Sequence, residues 1–156
     1  MGEYEVKATF LFNFTKFTDW PDSAFASATA PIVIGIVGED PFGTTMDNVV
    51  RGEVVRDRKL VVKRLRADED LQSCHVLFIS RSEKERVPAV LKRVKGHPIL
   101  MVGDTNDFAE KGGMVGLVLA NESVKLEVNQ GATEQAGLQI SAKLLKLARI
   151  VKTQRN

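Results

Sequence analysis

The side chains able to do chemistry gather in three short stretches: Gly38-Glu39-Asp40, Ser80-Arg81-Ser82 and Gly103-Asp104. Each follows an apolar run of strand character: Ile32 to Val37, Cys74 to Ile79 and Pro98 to Val102. In an open α/β sheet, ligands sit beyond the carboxyl ends of the strands. Glu39, Asp40, Ser80 and Asp104 therefore form a candidate ligand crevice. The Gly35, Gly38, Gly43 spacing is neither G-x-G-x-x-G nor a P-loop, and no Lys-Ser/Thr follows it. At most, weak anion binding is expected at a helix start beside Pro41. A phosphoacceptor receiver domain would share the acid pair after the first strand. It would also need an aspartate after the third, where Ser80, Arg81 and Ser82 stand.

The other reactive residue types do not combine. His75 neighbours Cys74 within one strand run, so their side chains point to opposite faces and cannot form a thiolate–imidazole pair. Two histidines and one cysteine lack short metal-ligand spacing, and Asp104 with Asp107 reads as a solvated loop. Ser80 has no G-x-S-x-G context. No metal site, cofactor site or catalytic set is expected.

The elements that would position these residues alternate. The order is strand (Ile32 to Val37), helix (Asp40 N-cap, Pro41 first, to about Val50), strand (Lys59 to Leu65), helical turn (Asp68 to Leu71), strand (Cys74 to Ile79), helix (Ser82 cap, Glu83 to Val94), strand (Pro98 to Val102). That order is the signature of a parallel α/β sheet. Met114 to Ala120 and Val124 to Val128, joined at Asn121-Glu122-Ser123, read as a hairpin. Val124, Leu126 and Val128 alternate with Lys125 and Glu127, as on a half-exposed edge strand. Asn129 is placed to cap a long last helix with Ile140, Leu144, Leu147 and Val151 at helical spacing. The fold expected is a single-domain, three-layer α/β sandwich over residues 3–151. Its mostly parallel sheet carries an antiparallel C-terminal hairpin edge, and a long C-terminal helix covers one face. Residues 152–156 read as a polar, frayed tail.

The N-terminal quarter is aromatic: seven of the ten aromatic residues lie within the first 25 positions. Val6, Phe10, Phe14 and Phe17 share one helix face, so the stripe reads as packing against the sheet. A sharper reading makes part of that face, with Trp20, a partner groove. Asp19-Trp20-Pro21-Asp22 stops the helix.

Bulk properties narrow the classes. The chain has 156 residues, 44% hydrophobic and 27% charged, the mix of one ordinary globular domain. A formal net charge of +2 does not argue for nucleic acid. No run reaches the ~18 apolar residues of a membrane span. One cysteine allows no internal disulfide. The start Met1-Gly2-Glu3 shows neither n-region nor h-region, and Met1-Gly2 is read as an expression scar replacing a leader. Lys143, Lys146, Arg149, Lys152 and Arg155 fall every third position, which on one helix would circle the axis and favour its C-terminus.

Several separated segments resemble the YfiR-like family: Val6 to Phe17 through Trp20-Pro21, Gly38 to Gly43, Cys74 to Glu83, Phe108-Ala109 with Gly112-Gly113-Met114, and Ala136 to Ser141 through Leu144 to Ala148. The likeness spans nearly the whole chain in order. It implies a periplasmic α/β domain without catalysis. Such a protein represses a membrane-anchored diguanylate cyclase by binding its periplasmic sensor portion, lowering cyclic-di-GMP and biofilm formation, and it tends to dimerise. Family members can carry disulfides, whereas this chain has Cys74 alone. For the docking face, Glu134, Gln135, Gln139 and Lys143 are expected on the shown side of the last helix, with Ile140 at its border as an apolar anchor. The competing expectation is a periplasmic small-ligand sensor or carrier using the strand-end crevice.

Overall fold

A computed structural model describes residues 2–154. The scar reading at Met1 and the last two tail residues lie outside them. Helix α1 (Glu3–Phe17) has acids in its first turn and ends before Pro21. Strand β1 (Thr18–Asp19) follows directly. Then come β2 (Ile32–Val37), α2 (Thr45–Val50), β3 (Val54–Val55), β4 (Arg58–Leu65), β5 (Val76–Ile79), a 3-10 helix (Arg81–Arg86) and α3 (Val87–Val94). The chain ends with β6 (Leu100–Gly103), β7 (Val115–Ala120), β8 (Ser123–Asn129), α4 (Gln130–Gln135), β9 (Gln139–Ile140), α5 (Ala142–Leu145) and β10 (Ala148–Val151).

Eight strands form one sheet in the order β10-β8-β7-β6-β5-β2-β4-β3. The run β4-β2-β5-β6-β7 is parallel. β2, β5 and β6 are buried at every position, as expected of strands covered on both faces. From β2 the chain crosses through α2 to β4 on one side; from β5 it crosses through α3 to β6 on the other. Right-handed crossovers in opposite directions place α2 and α3 on opposite faces. Helix α1 packs on the α2 side: Tyr4 and Phe78 each meet Phe42 edge-on, at 5.5 and 5.1 Å between ring centroids.

The hairpin forms as read, with β7 and β8 antiparallel about Asn121 and Glu122 at φ 51° and 66°. It is not the sheet edge. β10 lies outside it, parallel to β8, with Ala148 opposite Leu126 and Val151 opposite Asn129. The long C-terminal helix is the larger correction: residues 130–151 form two short helices and two strands. Gly137, at φ +77°, ends α4. Its N–H bonds the Glu134 carbonyl and the Leu138 N–H bonds that of Thr133, a paired helix stop that buries Leu138. Ser141 then caps α5 by accepting from the Lys143 N–H.

Two helix starts also differ. Asp40 accepts from the Phe42 N–H in a local turn instead of capping, and α2 begins at Thr45. The helix expected from Glu83 is a 3-10 segment capped by Ser80, with non-helical geometry at Glu83, and α3 starts only at Val87. At the C-terminus, Thr153 accepts from the Asn129 amide and the Gln154 N–H bonds the Glu110 carbonyl.

Candidate functional site

The fully buried line of α1 is Lys7, Leu11 and Phe14, flanked by Ala8 and Thr15. Val6, Phe10 and Phe17 of the expected aromatic stripe are only partly buried. Lys7 therefore holds a core position, at the tips of β5 and β6. Its ammonium donates to Asp104 Oδ2 at 2.8 Å, and both side chains are wholly buried. It also pairs with Glu3 one turn earlier. The Tyr4 hydroxyl donates to the same Asp104 oxygen at 2.8 Å. Burial first, and then this bond to the carboxylate, raise the Tyr4 pKa, so the phenol stays protonated. Among the described residues Asp104 Oδ1 has no hydrogen-bond partner, and Arg81 Nε stands 3.7 Å from it.

The four crevice residues share one end of the sheet but not one cluster. Ser80 Oγ accepts from the Ser82 N–H, and Ser82 Oγ accepts from the Glu39 N–H at 2.9 Å. Gly38 passes so close to Ser82 that a Cβ there would lie 2.5 Å from its hydroxyl, and its φ of +93° is one that glycine tolerates. The two serines thus fill the gap between the exits of β2 and β5. Asp40 faces away, onto Arg64 at 2.8 Å. Arg64 also binds Asp47 and holds that carboxyl below the usual aspartate range. Asp104 lies apart, under Tyr4 and Lys7. Sequence reasoning places Arg81 in the stretch after β5 but misses Lys7 and Tyr4. The available signal was the charge at position 7, in register with Leu11 and Phe14.

At the opposite end of the sheet, His75 is buried and neutral in role. Its Nδ1 accepts from the Val33 N–H at 3.0 Å, so Nε2 donates to the Ala24 carbonyl at 2.9 Å. Phe25 stacks on the imidazole at 4.4 Å, and the Arg58 guanidinium lies 3.6 Å above the Phe25 ring. Trp20 donates to the His75 carbonyl at 3.1 Å. Burial, the largest cause, lowers the His75 pKa; Arg58 adds to this, and the bond to Ala24 opposes it. Trp20 thus clips the segment after α1 to the sheet.

The five docking residues fall on three consecutive elements. Glu134 and Gln135 end α4, both exposed. Gln139 is exposed on β9 opposite Asp19, and Ile140, partly buried, is opposite Thr18 and packs on the core. Lys143 is exposed in α5. Of the regularly spaced basic residues, Arg149 points from β10 to Glu127 at 3.0 Å. Among the described residues, no group of three or more His, Cys, Asp or Glu could hold a metal, and no helix is long and apolar enough to cross a membrane.

A family model described as YfiR/HmsC-like matches residues 4–149. A solved structure of an ABC domain in complex with L-Trp from Streptococcus pneumonia superposes with a TM-score of 0.63 at 12% identity, over 92% of this chain and 60% of that one. This chain thus spans about 60% of that structure's length, and at such identity the likeness speaks for the fold alone.

Proposed function

Because the chain belongs to the YfiR/HmsC-like family, we propose that it is a periplasmic regulatory binding protein that represses a membrane-anchored diguanylate cyclase. In this reading it occupies the cyclase's periplasmic sensor domain, which lowers cyclic-di-GMP and biofilm formation. The observation that carries the reading is the surface of α4, β9 and α5. Glu134, Gln135, Gln139 and Lys143 are exposed on these three consecutive elements, which also carry the partly buried apolar Ile140. An apolar centre with a polar rim is the composition of a docking patch. The patch is braced, because β9 is paired to β1 and the Ser141 N–H bonds the Phe17 carbonyl at 2.8 Å. A braced patch loses little entropy on binding. Action as a homodimer belongs to the same proposal.

The test is capture of the cyclase's purified periplasmic segment by the mature protein, with cyclic-di-GMP measured in cells. Gln139→Arg and Lys143→Glu are exposed changes that leave the core intact. Each is expected to weaken capture about tenfold or more and to raise cyclic-di-GMP. Ile140→Asp is the poorer probe, since Ile140 also packs on the core. Undiminished capture by both exposed variants would reject this face, and no capture by the wild type would reject the partner. Sedimentation of the wild type checks the dimer.

A further inference from the structure

Beside the serine plug, where β4 leaves the sheet, a cavity of about 380 Å³ opens between the loop after β4 and the 3-10 helix with α3. It lies where the strand order reverses, with β4 on one side of β2 and β5 on the other, the place where open α/β sheets take ligands. Three guanidiniums from three segments line it: Arg66, Arg86 and Arg93. Asp68 and Glu83 are the two carboxylates of the wall, and Glu69 stands 3.8 Å from Arg66 Nε just outside it. The buried Val90 gives an apolar floor.

The three arginines have different duties. Arg93 is structural: its two terminal nitrogens donate to the carbonyls of Ala67 and Glu69, which holds the loop after β4 against α3. Arg66 is steadied through Nε by Asp68 at 3.2 Å, and Arg86 through Nη1 by Glu83 at 2.6 Å. A guanidinium has five N–H donors. Both terminal nitrogens of Arg66, and Nε and Nη2 of Arg86, therefore keep donors that no protein acceptor takes among the described residues. Pairs of guanidinium N–H groups match the spacing of oxyanion oxygens.

We propose that this cavity binds a compact oxyanion on a short hydrocarbon body, a phosphate monoester or a carboxylate. Arg66 and Arg86 grip the anion, and Val90 supports the hydrocarbon. The volume is near the lower end of small-molecule sites, which span ~300–1,000 Å³, so the ligand is small. The inference is independent of the partner reading and stands or falls without it.

The test is calorimetric titration of the full chain with glycerol 3-phosphate, inorganic phosphate and succinate, against sodium chloride at matched ionic strength. Saturable binding of at least one oxyanion is expected, and the stronger of ester and dicarboxylate identifies the head group. Arg66→Gln and Arg86→Gln should each raise the dissociation constant about tenfold. Lys92→Gln, on α3 but outside the cavity lining, should leave it unchanged. Heats no larger than those of chloride, or equal binding by both arginine variants and wild type, would overturn the proposal.

Discussion

Lys7 and Asp104 stand 97 residues apart in sequence and 2.8 Å apart in the fold, each with no solvent-accessible side chain. The pair fastens the first turns of α1 to the loop after β6. A buried ion pair gains stability only when both members are present, because a lone buried charge keeps its desolvation cost without its partner. Lys7→Met should therefore lose roughly 3–5 kcal/mol of unfolding free energy. Lys7→Met combined with Asp104→Leu should recover much of that loss. Urea denaturation of the three proteins decides it, and a single variant within about 1 kcal/mol of wild type would show that the pair carries little.

Acid sensitivity should come from the other end of the sheet. The folded-state pKa of His75 lies below its unfolded value, with burial as the main cause. Just below the unfolded value, ~6.5, the unfolded chain binds a proton that the folded chain refuses. The stability held above ~6.5 is thus lost progressively as pH falls toward the lower folded value. Protonation would also end acceptance of the Val33 N–H by Nδ1. Melting temperature followed from pH 7.5 to 5.5 should fall for the wild type, and fall less for His75→Gln. Parallel curves for the two proteins would remove His75 as the cause.

What the sequence discloses depends on the distance over which a residue's role is decided. Ile32 to Val37 and Val76 to Ile79 are legible as buried strands because β-branched composition alone dictates them. The hairpin is legible because its turn and alternation are local. The segment 130–151 is not. Ile140, Leu144, Leu147 and Val151 do recur at helical spacing, but Leu147 is 69% exposed and Ile140 pairs with Thr18, 122 residues away in sequence. Glu39, Asp40, Ser80 and Asp104 follow β2, β5 and β6, a placement that depends only on the strands beside them. Their partners are not legible, since nothing near Asp104 in sequence announces Tyr4 or Lys7.

Gly137 makes the difference between the expected helix and the observed break, and it can be tested. Nothing lies within 4 Å of a Cβ built there, so alanine would meet no clash and only the strain of φ +77°. Gly137→Ala should cost about 1 kcal/mol and weaken the helix stop after Ala136. Amide exchange should quicken at Gln139 and Ile140, whose pairing with β1 depends on the chain leaving α4 at that angle. Unchanged exchange at these amides would mean that the β1–β9 pair holds without the glycine.

Cys74 bears on redox control. The thiol is 2% exposed, and burial pushes its pKa up to about 11. At pH 8 roughly one thiol in a thousand is then ionised, and the thiolate is the reactive form. The sulfur also sits under the sheet, where a Cβ on Gly35 would come within 2.6 Å of it. Labelling by iodoacetamide at pH 8 should therefore be at least a hundredfold slower in the folded protein than in urea. In the absence of other cysteines, Cys74 can form a disulfide only with another chain or a small thiol. Such a bond requires the sheet to open first, so the folded protein should stay monothiol under mild oxidation. Fast labelling of the folded chain, or a cross-linked dimer formed without denaturant, would show that the thiol reaches the surface.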